Sequence, residues 1–260
     1  MERLAKTLAG NYREQGYAIL PGFLSTPQVE ALRESIAPIH QQWRKCNQSA
    51  LAGGALNMHS LTHPQYFSTC DNTRLQLFEL LLPKALTEIC DHAFNAAFYF
   101  HNSQLFFNPS DERQIPYWHR DLQFSQVSEQ QQIQAQADML SLHIRIALIE
   151  ETGIALIPGT HRRWDTREER AARYGDHSVN CPVLPGEQLI TLQAGDVLLF
   201  DAQMIHRGHY SAQHQRLALD LCVGTKHALT AGFLDKTVLP STDELSLLAN
   251  PRWYQRALAV

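Results

Sequence analysis

Between Met139 and Leu148 the chain alternates without interruption. Leu140, Leu142, Ile144, Ile146 and Leu148 fall on one side of an extended strand; Met139, Ser141, His143, Arg145 and Ala147 fall on the other. The apolar side must face a core. The other side carries an arginine and a histidine, which are costly to bury unless paired. Two surroundings accommodate them: the inward face of a barrel around a binding pocket, or solvent. In the pocket reading, Ser141, His143 and Arg145 are substrate contacts, and the substrate is polar and bears a carboxylate or phosphate. Arg216 to Val223 repeats the pattern, with Leu217, Leu219, Leu221 and Val223 on one side and Arg216, Ala218, Asp220 and Cys222 on the other.

The remaining segments frame these strands. Leu4, Leu8 and Tyr12 have helical spacing, and residues 16–22 read as a short strand stopped at Pro21-Gly22. Ser25 or Thr26 can cap a second helix with Pro27 in its first turn and a stripe of Val29, Leu32 and Ile36. Residues 44–73 read as a loop at a site entrance, and Leu75 to Ala93 as helix divided at Pro83. From Phe94 the pattern becomes extended, with Asn102, Gln104, Phe106 and Asn108 on one face. Gln-rich residues 123–137 read as a solvated segment or a lid, residues 150–153 as a turn, and Arg162 to Arg173 as a solvated helix. Strands follow at 154–157, 189–192 and 196–200, and the tail from Leu229 reads as turns and a short helix. Short strands with Gly/Pro turns, framed by helices, predict a mainly β fold with flanking helices, a β-sandwich or jelly roll. One domain over 1–260 is expected: a helical part at about 1–93, the core at about 94–225, and a tail at 226–260.

The chemistry is concentrated in Tyr117-Trp118-His119-Arg120-Asp121. On a strand, His119 and Asp121 share a face and can reach one metal, with Arg120 turned away. A second imidazole, His206, lies downstream of the apolar run that ends in Asp201. Two histidines and a carboxylate with open positions opposite form the facial triad of non-haem iron oxygenases. His59 and His63, four apart beside Pro64, read as a chance pair.

Composition excludes several classes. The formal net charge of -4 shows no basic footprint for nucleic acid. The longest apolar runs are strand-length and too short to span a bilayer. The five cysteines form no CxxC pair and are odd in number, which predicts reduced thiols in a cytoplasm. The N-terminus has no apolar stretch of a signal peptide.

Several segments in order resemble the phytanoyl-CoA dioxygenase-like family of Fe(II)/2-oxoglutarate oxygenases. They are Gly16 to Leu24, Tyr117 to Asp121, Gly153 to His161 with its Pro158-Gly159-Thr160-His161, Gly195 to Phe200 followed by His206, and Arg216. The resemblance spans roughly residues 12 to 224. It implies a double-stranded β-helix (cupin-like jelly roll) core, with Fe(II), 2-oxoglutarate and O2 as cofactor and co-substrates. His119, Asp121 and His206 would be the iron ligands, and Arg216 would pair with the distal carboxylate of 2-oxoglutarate. Gln104 and Asn108 match a Gln-xxx-Asn arrangement of some relatives, with Asn108 near the co-substrate, and Trp118 would pack beside the site. Related halogenases carry a small residue in place of the carboxylate, so Asp121 points to hydroxylation or a related oxidation such as desaturation or ring formation. The chain departs from the family at Gly208, where many relatives have a serine that helps hold the carboxylate; Tyr210 or Ser211 would supply the hydroxyl. The expected substrate is a polar small molecule such as an amino acid, a peptide-like metabolite, a sugar-containing natural product or a nucleoside. A fatty acyl-CoA is less favoured, because no basic cluster marks a CoA phosphate site. The rival readings are a non-catalytic jelly-roll metal- or ligand-binding protein, a zinc hydrolase or isomerase, and a protein hydroxylase or demethylase.

Overall fold

The computed structural model describes residues 1–68, 72–109, 115–175, 183–210 and 215–260. The first helix, α1 (Glu2–Gln15), buries Ala5 and Leu8 and leaves Leu4 exposed. Gly16 closes it at φ 87 and donates its N–H to the Tyr12 carbonyl (2.7 Å). A Cβ at Gly16 would lie 2.5 Å from His161 Nδ1, so only glycine meets both demands. Strand β1 (Tyr17–Leu20) follows. Helix α2 (Thr26–Cys46) starts at Ser25, whose N–H donates to Gln28 Oε1 (2.9 Å) in a capping box. Val29, Leu32, Ile36 and Ile39 form its buried stripe. Next come α3 (Gln48–Ala52) and β2 (Asn57–His59). Pro83 separates α4 (Thr73–Leu81) from α5 (Lys84–Phe94), as its missing N–H requires.

The core strands are β3 (Tyr99–Phe107), β4 (Ser141–Ala147), β5 (Glu151–Leu156), β6 (Gln188–Leu192), β7 (Val197–Asp201), β8 (His206–Gly208) and β9 (Leu217–Gly224). Between them lie α6 (Glu129–Ala135) and α7 (Arg167–Tyr174); α8 (Ala228–Ala231), α9 (Thr242–Leu247) and α10 (Arg252–Leu258) follow. Two antiparallel sheets result, in the orders β1-β7-β4-β9-β3-β2 and β6-β5-β8. They make the expected jelly roll with flanking helices. The predicted alternation holds: Leu142, Ile144, Ile146, Leu219, Leu221 and Val223 share one apolar cluster with residues of α1, α2, α4, α5 and α10. The opposite faces of the same strands turn between the two sheets.

Four expectations need correction. Residues 151–153 are not a turn but the start of β5, where Glu151 is drawn inward by Arg145. The charged stretch at 162–173 is not simply solvated. Asp165 is buried between the guanidinium groups of Arg120 and Arg173, and Trp164 stacks against both. The Gln-rich segment is docked rather than free: α6 is capped by Ser128, and Gln132 donates to the carbonyls of Leu122 (3.1 Å) and Val127 (2.8 Å). The loop expected over 44–73 is instead interrupted by α3 and β2, whereas the tail has the expected turns and short helices and packs on the core as well. Trp253 and Tyr254 of α10 are fully buried against Phe78, Phe98 and Phe100. Trp253→Ala is therefore expected to cost about 3–5 kcal/mol, read as a lower urea midpoint at unchanged m-value; a loss below about 1 kcal/mol would show that the tail is dispensable to the core.

Candidate active site

The site begins with a two-way backbone bridge. His119 N–H donates to the His206 carbonyl (2.9 Å), and His206 N–H donates to the His119 carbonyl (3.0 Å). His119 thus adds one bridge to the edge of the small sheet at β8, and the two imidazole centroids stand 4.1 Å apart. The expected strand reaches no further, because Asp121 begins a 3-10 turn, Asp121–Phe124. The alternation survives this change. His119 and Asp121 face one way, and Arg120 faces the other, where it binds Asp165 and the Thr160 carbonyl (2.8 Å).

Hydrogen bonds orient both rings. His119 Nδ1 lies 3.1 Å from the Tyr117 carbonyl, and His206 Nδ1 lies 3.0 Å from the Met204 carbonyl. These acceptors fix the proton on Nδ1 and leave each Nε2 as a donor for a metal. Burial, with His206 close by, lowers the His119 pKa to about 3, so the ring is neutral and ready to ligate at ordinary pH. Asp121 Oδ1 is 3.9 Å from His119 Nε2 and 3.3 Å from His206 Nε2. Burial opposes ionisation of Asp121, but the charge of the adjacent His143 and its hydrogen bond outweigh it and hold the carboxyl well below its usual range. The three ligand atoms lie within 4.8 Å of one another. Two imidazoles and one carboxylate so placed fit a divalent iron.

A cavity of about 690 Å³ opens beside the triad and reaches Arg216. Its walls include Asn57, His59, Gln104, Phe106 and Tyr210, together with residues 53–56 between α3 and β2. His59 lies on β2 rather than on a helix, so its spacing to His63 has no metal-binding meaning. Arg216 is buried, and its Nε and Nη1 find no acceptor among the described residues. The guanidinium lies 5.0 Å over the Phe106 ring and 5.7 Å from the Tyr210 ring. Burial, then repulsion from Arg145, lowers its pKa to about 9, which still leaves it a cation at neutral pH. A buried cation with free donors, facing the cavity that holds the triad, fits the distal carboxylate of a dicarboxylic acid. At Gly208, a Cβ would come 3.1 Å from Tyr210 Cε1 and 3.7 Å from Arg216 Nη2, so the tyrosine ring fills the place where relatives carry serine. Ser211, the other candidate hydroxyl, lies outside the described residues.

A second cavity, of about 340 Å³, meets the first at Gln104, Asp121, Phe124 and His143, and is lined further by Ser141 and Asn102. Gln104 accepts from Asn57 Nδ2 (2.9 Å) and donates to Cys222 Sγ (3.3 Å). Ser141, His143 and Gln104 therefore reach the site, but three expectations change. Trp118 points away from His119 into a cluster with Ala155, Ile157 and Ile205, under the Arg207 guanidinium (4.4 Å), and lines neither cavity. Asn108 lies just past the end of β3 and also lines neither. Arg145 borders the cavity, but its charge is matched within the protein. It donates to Glu151 Oε1 (2.7 Å) and Oε2 (3.1 Å) and lies 3.5 Å from Asp220 Oδ2. Arg145 is thus a poor candidate for a substrate anion. His143 is engaged too, with Nε2 on Asp121 Oδ2 (2.6 Å) and Nδ1 on Asp220 Oδ1 (2.8 Å). Burial disfavours the imidazolium, but Asp220 and Asp121 raise the His143 pKa well above its usual value, and both nitrogens donate.

Sequence reasoning missed Glu151 and the role of Asp220. Asp220 was visible as a carboxylate on the inward face of its strand; its pairing required the β4–β9 register, which sets Arg145 opposite Asp220.

The family profile of phytanoyl-CoA dioxygenase matches residues 12–217. The chain belongs to this family and is a non-haem iron oxygenase that uses Fe(II), 2-oxoglutarate and O2. A search of curated protein sequences gave no match. Among solved structures, the fold resembles EctD from S. alaskensis with 2-oxoglutarate and 5-hydroxyectoine (18% identity, 84% of this chain and 74% of that chain, TM-score 0.57). It also resembles the α-ketoglutarate-dependent carbocyclase SnoK from nogalamycin biosynthesis (19%, 85% and 83%, 0.58). HygX from Streptomyces hygroscopicus, with nickel and 2-oxoglutarate bound, is similar as well (15%, 85% and 87%, 0.59).

The pairing of Arg145 makes a direct prediction. Arg145→Ala leaves Glu151 and Asp220 buried without their cation and is expected to lower stability by about 3–5 kcal/mol. Chemical denaturation checks this; a stable Arg145→Ala protein with a raised KM for substrate would instead return Arg145 to the substrate pocket.

Proposed function

We propose that this protein hydroxylates, or otherwise oxidises, an unactivated C–H bond of a polar small molecule, releasing succinate and CO2 from 2-oxoglutarate. The observation that carries this reading is the pairing, across one cavity, of the His119/Asp121/His206 triad with the buried guanidinium of Arg216, whose Nε and Nη1 find no acceptor among the described residues. In this reading His119 and His206 bind iron through Nε2, and Asp121 binds through Oδ1. Arg216 takes the distal carboxylate of 2-oxoglutarate, with Tyr210 and Phe106 packed about its guanidinium. Bound iron, 2-oxoglutarate and O2 supply the oxidising power. The protein positions the reactants and keeps water away from them. Asp121 fills the position that a halide would need, which favours oxygenation over halogenation.

The substrate is read as polar because Asn57, His59, Asn102, Gln104 and Ser141 line the two cavities. The small-molecule ligand in the EctD structure and the nogalamycin pathway of SnoK support a small-molecule target. Residues 1–260 act as one domain in this reading, supported by the apolar cluster that α1, the large sheet and α10 share. Among the described residues, no helix is long and apolar enough to cross a membrane. The unbridged Cys46, Cys90 and Cys222 support a cytoplasmic location, and the net charge of -4 gives no support for nucleic-acid binding.

Two experiments test the proposal. Adding Fe(II) and then 2-oxoglutarate anaerobically should produce a weak visible charge-transfer band, and Asp121→Ala should abolish it; no band in the wild type at saturating ligand sinks the oxygenase reading. Arg216→Ala removes a charge-assisted contact of about 1.5–3 kcal/mol, so KM for 2-oxoglutarate should rise about 10- to 100-fold. An unchanged KM would assign the carboxylate to another residue.

A further inference from the structure

We infer that His143 is a positioning residue for the iron carboxylate: it holds the outer oxygen of Asp121, so that Asp121 offers the metal one oxygen rather than two. This rests on the iron reading above. The two Asp121 oxygens face different partners. Oδ1 looks toward Nε2 of His206 and His119, at 3.3 and 3.9 Å, whereas Oδ2 receives His143 Nε2 at 2.6 Å. To chelate a metal with both oxygens, the carboxylate would have to leave His143.

The imidazole cannot readily follow it. Its ring is stacked on Phe200 (centroids 4.9 Å apart, planes 11° apart), and its Nδ1 is held by Asp220 Oδ1 at 2.8 Å. Asp220 is fixed in turn by Arg145, its register partner across β4 and β9, at 3.5 Å. Arg145 is gripped by Glu151 of β5 through two hydrogen bonds. Even the seat of Glu151 is prepared: a Cβ at Gly153 would lie 2.6 Å from Glu151 Oε2 and 3.0 Å from Arg145 Nη2. A row of buried side chains thus runs from the small sheet, through the large one, to the metal carboxylate. It ends at the single atom whose position decides how many sites the metal keeps open. With one oxygen from Asp121 and two imidazole nitrogens as ligands, a six-coordinate iron would keep three positions for the 2-oxo acid and O2. A chelating Asp121 would leave two.

The test compares two amides at position 143. His143→Gln places its N–H donor where Nε2 stands, on Asp121. His143→Asn places it where Nδ1 stands, on Asp220. Anaerobic Fe(II) titration and the visible spectrum of the Co(II)-substituted protein, whose band intensity falls as coordination number rises, are the readouts. Thermal melts of the metal-free proteins report folding. His143→Gln should bind Fe(II) close to wild type with an unchanged Co(II) spectrum. His143→Asn should bind about 10- to 100-fold more weakly and show an altered spectrum while remaining folded. Equal Fe(II) affinities in the two variants overturn the inference. Should His143→Asn not fold, the Co(II) spectrum of His143→Gln decides: a wild-type spectrum supports the assignment and a changed one overturns it. Wild-type protein that takes up no Fe(II) overturns the iron reading and this inference together, whereas uptake indifferent to residue 143 overturns this inference alone.

Discussion

Two backbone hydrogen bonds between His119 and His206 hold the site together, because they are what attaches the His119–Asp121 segment to a sheet. Once His119 is fixed at the edge of β8, the two-residue period of extended chain determines the rest. His119 and Asp121 turn toward His206, and Arg120 and Trp118 turn behind them. The rear is as specific as the front. Arg120 and Arg173 share Asp165, Trp164 stacks on both guanidinium groups, and Trp118 seals the adjoining apolar cluster. Buried ion pairs contribute little net stability, since desolvation offsets most of their attraction. Breaking one is costly, however, and a segment anchored this way has few alternative positions.

Charge around the cavity follows one rule with one exception. Asp121, His143, Asp220, Arg145 and Glu151 neutralise one another in sequence. Arg216 keeps donors for a ligand. These charges are thus settled internally, and under the proposed function the guanidinium of Arg216 would serve the co-substrate. Burial, chiefly, keeps His119 neutral, and the charge and hydrogen bond of His143 keep Asp121 ionised, so both are in their ligating form before any metal arrives.

Much of this was legible in the chain. Ten residues of strict alternation at 139–148, matched at 216–223, gave two central strands and their inward faces. His119, Asp121 and His206 stood out by residue type and spacing. What could not be read was partnership. Arg145 looked like a substrate anchor because the sequence does not show that β9 sets Asp220 opposite it, nor that Glu151 lies in a strand rather than a turn. The same gap explains Arg162 to Arg173, whose charges suggested solvent until Asp165 was found between two arginines. The family resemblance suggested Trp118 beside the site, but alternation puts it on the far side, with Ala155, Ile157 and Ile205. The tail, broken by Pro240 and Pro251, concealed in Trp253 and Tyr254 two of the most buried side chains of the core.

The contact between Asp121 and His143 also has a mechanical meaning. His119 and His206 belong to the small sheet, whereas His143, Arg145, Asp220 and Arg216 belong to, or immediately precede, strands of the large one. The hydrogen bond from His143 to Asp121 therefore crosses the mouth of the jelly roll as a staple. An oxoacid held at one end by Arg216 and at the other by the triad would span the same gap from within. The aperture of the barrel and the reach of its co-substrate are then one dimension, so a change in the spacing of the two sheets alters both the entrance and the length of acid that fits.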